Sequence, residues 1–212
     1  MLSKGFLSEA LGFVEGSLLE ELSEAAEMIE IKRGQQVAEL GTPPQYAYFL
    51  ISGVFRAFYI NGKGEDVTDF FVYRSGALMV SSYDLKSPAP VNVVAASELQ
   101  CIRISMERFQ GLLHQYHEVA CRYNEYLTYG LREHTQLKQV MNKYDCEQRY
   151  QWFLKSYPGL IQQIWLKDIA SFLDMTPVTL SRIRRKMRGG GQCIGKSLSK
   201  FGQKLGCDEN CI

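Results

Sequence analysis

The 212-residue chain contains no uninterrupted apolar run of about 18 residues, the length expected of a membrane-spanning helix. Residues 1–9 also lack the long apolar core and small-residue cleavage site of a secretory signal. We therefore expect a cytoplasmic protein. The six cysteines do not make a disulfide scaffold in a chain of this length, and a reducing compartment would keep them as thiols.

A strong excess of charge of one sign is absent from the chain as a whole, which carries 24 Lys and Arg against 23 Asp and Glu. This balance conceals an asymmetry between its two parts. Residues 1–140 carry 12 basic and 17 acidic side chains, whereas residues 141–212 carry 12 basic and 6 acidic ones. A split of this kind indicates an acidic body joined to a basic module that binds a polyanion.

The hydrophobic pattern changes twice along the chain. Residues 8–30 carry apolar side chains at helical spacing with glutamates on the remaining face, which predicts an amphipathic helical entry. Between residues 31 and 104 the pattern becomes short β-rich runs separated by Gly, Pro and Asn, as expected of an all-β sandwich or roll. Helical periodicity returns at residues 105–114, with Ser105 near a capping signature, and again over residues 117–143.

The helix over residues 117–143 has apolar positions that step by three and four residues, the spacing of a coiled-coil seam. The predicted dimer seam consists of Ala120, Tyr123, Leu127, Gly130, His134 and Leu137, continued by Met141. A single seam on an otherwise polar helix needs a partner, and the simplest partner is a second copy in a two-fold homodimer. The same sparse pattern also fits a helix that packs on the β domain of its own chain.

The most informative stretch of the basic module is residues 166–187. Its first part predicts a short helix that buries Ile169, Ala170 and Leu173, with the small alanine allowing a second helix to cross close by. Asp174 follows where a tight turn needs a left-handed backbone, which Asp tolerates better than most residues. The pattern indicates a helix-turn-helix.

The second helix of this motif begins with Thr176 as a cap and Pro177 in the first helical position, where no amide donor is needed. Such a helix fits the major groove of DNA, where arginine reads guanine while hydroxyls and cations hold phosphates. We therefore predict DNA binding. The predicted DNA-binding residues are Thr176, Val178, Thr179, Ser181, Arg182, Arg185 and Lys186.

A β-roll, a long seam helix and a C-terminal helix-turn-helix in this order resemble the CRP/FNR family of bacterial transcription regulators. The roll has a glycine framework similar to that of the family at Gly34, Gly41 and Gly53, the last of these closing the run YFLISG. The stretches EQRYQWFLKSYP at 147–158 and LKDIASFLDMTPVTLSRIRRKM at 166–187 are closely similar to a sub-group of cyclic-nucleotide-domain regulators.

The resemblance implies an α+β fold with an N-terminal β-roll, a long dimerisation helix and a C-terminal helix-turn-helix domain. The expected divisions are 1–115 for the cyclic-nucleotide-binding-like roll, 116–143 for the dimerisation helix, 144–188 for the helix-turn-helix domain and 189–212 for an atypical tail rich in Gly, Lys and Cys. The resemblance further implies a cytoplasmic homodimer that binds double-stranded DNA and contacts RNA polymerase. Arg182 matches the base-reading arginine of the family.

Two residues of the motif depart from the family pattern. Val178 stands where the family commonly has Glu, so readout of cytosine by a carboxylate is lost, and contact with a thymine methyl group is the physical substitute. Asp174 replaces the usual turn glycine at little cost.

The effector site departs further from the family pattern. In cyclic-nucleotide binders the phosphate cassette looks like Gly-Glu-Leu followed by Arg-Ser/Thr-Ala, whereas this chain has GAL at 76–78 and SPAPVN at 87–92. An anionic phosphate buried without its cation is poorly compensated, so we predict weak or absent cAMP binding and no cofactor. Two alternatives stay open: a pocket for another small molecule, or an interior filled by side chains. The candidate pocket residues are Gly76, Ala77, Leu78, Ser81, Ser82, Val91 and Asn92.

Enzymatic metal chemistry is not expected in the roll. All three histidines lie outside its β-rich residues, so the histidine clusters by which a cupin-type enzyme holds its metal are missing. The sequence therefore predicts no catalytic residues and no metal site. The competing function is a small-molecule or redox sensor, or an adaptor, whose basic module no longer binds DNA because of its altered tail.

Overall fold

The computed structural model describes residues 2–189 and has the predicted α+β architecture. Two helices come first, α1 at Lys4–Leu11 and α2 at Gly16–Ala25. The Ser3 hydroxyl caps α1 by accepting the amide of Phe6 at 3.3 Å. The last part of the predicted helical entry is wrong, because Ile29 lies in the edge strand of a sheet, Glu27–Ile31.

Eight strands of the described chain form two four-stranded antiparallel sheets. They are β1 Glu27–Ile31, β2 Gln36–Ala38, β3 Tyr46–Ser52, β4 Phe55–Ile60, β5 Asp66–Val72, β6 Leu78–Met79, β7 Asn92–Ala95 and β8 Leu99–Ser105. The strand order is β1-β8-β3-β6 in one sheet and β2-β7-β4-β5 in the other. Together they are the predicted roll.

The space between the two sheets is filled by side chains from both. Leu50 and Cys101 of one sheet pack with Phe55 and Val93 of the other, and all four are fully buried. Burial raises the pKa of the Cys101 thiol to about 12, so this cysteine stays protonated. Gly53 turns the chain from β3 into β4 at a φ of 93°, and a side chain there would collide with the backbone of Leu99.

The helices that follow the roll are α3 Met106–Gln115, α4 His117–Lys143, α5 Cys146–Ser156, α6 Leu166–Phe172 and α7 Pro177–Gly189. Ser105 caps α3 as predicted, because its hydroxyl accepts the amide of Arg108 at 3.3 Å. No helix within residues 2–189 is long and apolar enough to cross a membrane.

The long helix α4 lies against the roll of its own chain along part of the predicted seam. The Tyr123 hydroxyl donates to the backbone carbonyl of Tyr83, and His134 Nε2 lies 3.3 Å from the Tyr83 hydroxyl. Gly130 faces the same tyrosine ring. These contacts fit the intramolecular alternative that the seam pattern allowed, while the homodimer stays a prediction. On another side of α4, Leu131 is 71% exposed.

The helices after α4 share a core with one edge of the roll. Phe153, Leu160 and Leu180 are fully buried in this cluster, and Phe71 of β5 lies 5.3 Å from Phe172 of α6 between ring centroids. The C-terminal helices are therefore docked on the roll as well as connected to α4 by the chain.

Candidate nucleic-acid interface

Helices α6 and α7 pack as the sequence predicted. Ile169 and Ala170 on the first helix, Leu173 directly after it and Leu180 on the second are fully buried, and Ile183 is nearly so. Because residue 170 has only a methyl side chain, the second helix can cross close to the first. The pair forms a helix-turn-helix with its apolar faces turned inward.

The turn between the two helices has the backbone that the sequence predicted. Asp174 has a φ of 51°, in the left-handed region. Its amide donates to the carbonyl of Ser171 at 3.1 Å, and the next amide, that of Met175, donates to Ala170 at 3.0 Å. These bonds close the end of α6 and reverse the chain toward α7.

The start of α7 is capped by Thr176. Its hydroxyl oxygen accepts the amide of Thr179 at 3.1 Å and lies 2.9 Å from the Thr179 hydroxyl. Pro177 follows as the first helical residue, with no amide to satisfy. Two of the three hydroxyls predicted to contact DNA therefore lie side by side at the beginning of the helix.

The outward face of α7 is open to solvent. Val178 is 60% exposed, and Ser181, Arg182 and Arg185 are also exposed. Lys186 is exposed as well, but its ammonium group binds a carboxylate oxygen of Glu147 at 2.6 Å. That hydrogen bond raises the pKa of Lys186. Val178, Ser181, Arg182 and Arg185 thus form one exposed face, and Lys186 next to them has an acidic partner on α5.

A buried polar cluster fixes α6 to the roll, and sequence reasoning did not identify it. Arg56 on β4 is only 5% exposed; its Nε donates to the Thr68 hydroxyl at 2.8 Å, and its guanidinium also pairs with Asp66. The same Nε lies 3.6 Å from a carboxylate oxygen of Asp168 on α6. Burial raises the pKa of Asp168, while the nearby guanidinium opposes that rise.

Ser171 on α6 extends this connection. Its hydroxyl accepts the backbone amide of Thr68 at 2.8 Å and donates to the backbone carbonyl of Asp66 at 2.9 Å. One hydroxyl therefore satisfies two backbone groups at the exposed edge of the sheet, where β5 has no further strand. Nothing in the local pattern of residue 171 indicates this role, because its partners are 103 and 105 residues away.

The candidate effector residues do not surround one cavity in residues 2–189. Gly76 donates its amide to Leu50 at 2.7 Å and lies close to the carbonyl of Ala10 on α1. The Asn92 side chain binds the segment that follows β2, since its side-chain oxygen accepts the amide of Leu40 at 3.0 Å. Ala77 is half-buried, and Leu78 and Val91 are buried. Of the seven, Ser81 alone lines a cleft of about 230 Å³, together with Tyr46 and Tyr48.

Ser82 instead belongs to a loop, residues 82–87, whose hydrogen-bond donors bind the carboxylate of Asp84 in the same loop. Asp84 accepts the Ser82 hydroxyl at 2.8 Å and the backbone amides of Lys86 and Ser87 at 3.0 and 2.8 Å. The Ser87 hydroxyl also donates to this carboxylate, and it and the other donors hold the pKa of Asp84 far below its usual range. The hydrogen-bond donors of this loop are therefore satisfied by an anion that the chain itself supplies.

Residues 28–116 match the cyclic nucleotide-binding domain family, and this range covers the roll and α3. A transcriptional regulator of Eubacterium rectale assigned to the CRP/FNR family superposes with a TM-score of 0.65 at 15% identity, over 84% of this chain and 85% of that one. This chain has the CRP/FNR fold.

Two further structures share the CRP/FNR fold with this chain. FixK2 from Bradyrhizobium japonicum superposes with a TM-score of 0.70 at 14% identity, over 78% of this chain and 86% of that one. CLP, the c-di-GMP-responsive global regulator of Xanthomonas campestris, superposes with a TM-score of 0.64 at 15% identity, over 84% of this chain and 93% of that one. No curated protein sequence matches the chain. The resemblance seen in the sequence is thus confirmed for the fold, including the order of roll, long helix and helix-turn-helix.

Proposed function

We propose that this chain is a sequence-specific DNA-binding transcriptional regulator of the CRP/FNR type. The observation that carries the proposal is the exposed face of α7, where Val178, Ser181, Arg182 and Arg185 project from a capped helix of a helix-turn-helix. The fold neighbours include one transcriptional regulator and one global regulator that acts on gene expression, which supports a regulatory rather than a catalytic role.

Each exposed side chain of α7 has a role that follows from its chemistry. Arg182 is proposed to donate two hydrogen bonds to O6 and N7 of a guanine, and Val178 to contact the methyl group of a thymine. The hydroxyls of Thr176, Thr179 and Ser181 are proposed to bind phosphates, together with Arg185 and Lys186. Base contacts of this kind specify sequence, whereas phosphate contacts fix the position of the helix.

The active species is proposed to be a homodimer formed along α4. Two copies of α7 would then enter successive major grooves, and the operator would have two-fold symmetry. The proposed divisions of the chain are those named above, with 116–143 as the dimer helix. The tail, 189–212, lies outside the described residues apart from residue 189. Contact with RNA polymerase is proposed on the resemblance alone.

cAMP is expected not to bind this chain. The family's Glu and Arg are missing, and the donors of the loop at 82–87 already hold the Asp84 carboxylate. Isothermal titration with cAMP should give no saturable heat. A Kd tighter than about 0.1 mM would contradict the expectation.

Selection of duplexes from a random pool by the full chain tests the proposal directly. Enrichment of a two-fold symmetric motif with G·C pairs at equivalent positions of each half-site is the expected result. Binding without any enrichment would remove the sequence specificity from the proposal. No binding at low salt would favour the alternative, a sensor or adaptor that does not use DNA.

A further inference from the structure

Arg149, on the second turn of α5, binds three separate segments of the chain through backbone carbonyls. One terminal nitrogen of its guanidinium donates to Met141 at 2.8 Å, in the last turn of α4. Its Nε donates to the carbonyl of Tyr144 at 3.0 Å, between α4 and α5. The other terminal nitrogen donates to Leu173 at 3.2 Å and Asp174 at 3.4 Å, at the turn of the helix-turn-helix.

These acceptors share one physical property. The last carbonyls of a helix have no partner within it and carry the negative end of its dipole. Met141 belongs to the end of α4, and Leu173 directly follows the end of α6. One cation therefore satisfies orphan carbonyls at two helix ends at once. The Asp174 carboxylate lies 3.7 Å from the same guanidinium and adds charge attraction.

The geometry points to Arg149 as a positioning residue, and this inference rests on the proposed function. We propose that Arg149 fixes the angle between α4 and the helix-turn-helix and thereby sets the separation of the two recognition helices in the dimer. The side chain is mostly buried, with 16% exposed, so its hydrogen bonds are shielded from competing water. A planar fork with five donors is needed to reach three segments, which a lysine ammonium cannot do.

The consequence for function is a fixed distance between DNA half-sites. In dimeric helix-turn-helix proteins the spacing of half-sites follows from the geometry of the dimer. With Arg149 in place, α4 and the helix-turn-helix move together, so only one spacing allows both copies of α7 to bind. Without it, only the link at residues 144–145 and the contacts of α6 with the roll set this angle, which then varies more widely, and several spacings become usable.

The first test compares the full-length wild type with Arg149→Lys on the duplex enriched from the random pool and on versions with the centre lengthened or shortened by one and two base pairs. Wild type is expected to lose about tenfold in affinity per added or removed base pair, and Arg149→Lys less than about threefold. Arg132→Lys, at an exposed position of α4, is the matched control and should keep the wild-type preference. Thermal unfolding should show that both variants fold.

The second test needs no DNA, so it separates this inference from the proposed function. Hydrogen exchange of the full chain should show amides at 142–146 and 173–176 exchanging about tenfold faster in Arg149→Lys, with those of α7 unchanged. If wild type binds no DNA, the proposed function fails and this test alone decides the inference. Unchanged exchange in those segments of Arg149→Lys, or an unchanged spacing preference, would overturn the proposed role of Arg149. Where Arg149→Ala folds, its changes in exchange rate and in spacing preference should both be larger than those of Arg149→Lys.

Discussion

Replacing Arg56 with Met should lower the free energy of unfolding by about 3–5 kcal/mol, because Asp168 would then stay buried without its cation. Asp168 is only 4% exposed where α6 meets the roll, so solvent replaces the lost guanidinium only in part. The Thr68 hydroxyl would lose its donor in the same change. Urea unfolding followed by circular dichroism measures the effect.

The matched control for this prediction is Arg103→Met. Arg103 pairs with Glu27, but that glutamate is largely exposed, so the loss should stay within about 1 kcal/mol. Replacing both buried partners, in Arg56→Met with Asp168→Leu, should recover most of the stability, because the one carboxylate then left without its cation, that of Asp66, is partly exposed to solvent. An Arg56→Met protein as stable as the Arg103→Met control would show that the buried cluster does not hold α6 to the roll.

Replacing Arg182 with Ala should lower affinity for the selected operator by about 10- to 100-fold, the range for one lost bidentate base contact. The preference at the corresponding base pair should disappear at the same time. Arg182 is exposed on α7 and is not part of the buried core, so the variant should keep the wild-type unfolding temperature. Fluorescence anisotropy titration with the operator and single-base variants provides the measurement.

Lys186→Ala is the comparison that separates base reading from phosphate binding. It should weaken binding to all sequences alike, and by less than Arg182→Ala, because the ammonium must first leave Glu147. Glu147→Gln should have the opposite effect and raise affinity for unrelated duplexes. Equal losses in Arg182→Ala and Lys186→Ala, with an unchanged base preference in both, would contradict the roles assigned to the two side chains.

The helix-turn-helix could be predicted from the sequence because its determinants are local. A small residue at 170, a turn residue that tolerates a left-handed backbone at 174 and a capping hydroxyl at 176 lie within one short stretch. Each has its effect on neighbours a few residues away, as the hydrogen bonds of Asp174 and Thr176 show. Periodicity and turn chemistry are sufficient to identify such a motif.

The attachment of α6 to the roll could not be predicted in this way. Arg56 and Asp168 are 112 residues apart in the chain, and neither stands in a pattern that distinguishes it from a solvated charge. The seam of α4 was ambiguous for a related reason. A stripe of apolar residues indicates that one face of a helix is covered, but it does not indicate by what. In the structure Tyr123 and His134 contact Tyr83 of the same chain.

The exposed face of α7 is proposed to bind DNA. Binding of the selected duplex by the full chain, measured at 50 and 200 mM salt with wild type and Arg182→Ala/Arg185→Ala, tests whether it does. Wild type should bind at the lower salt and weaken steeply at the higher, as counterion release requires, while the double variant should lose about 100-fold or more. Absence of wild-type binding at low salt, or equal binding by the double variant, would contradict the claim.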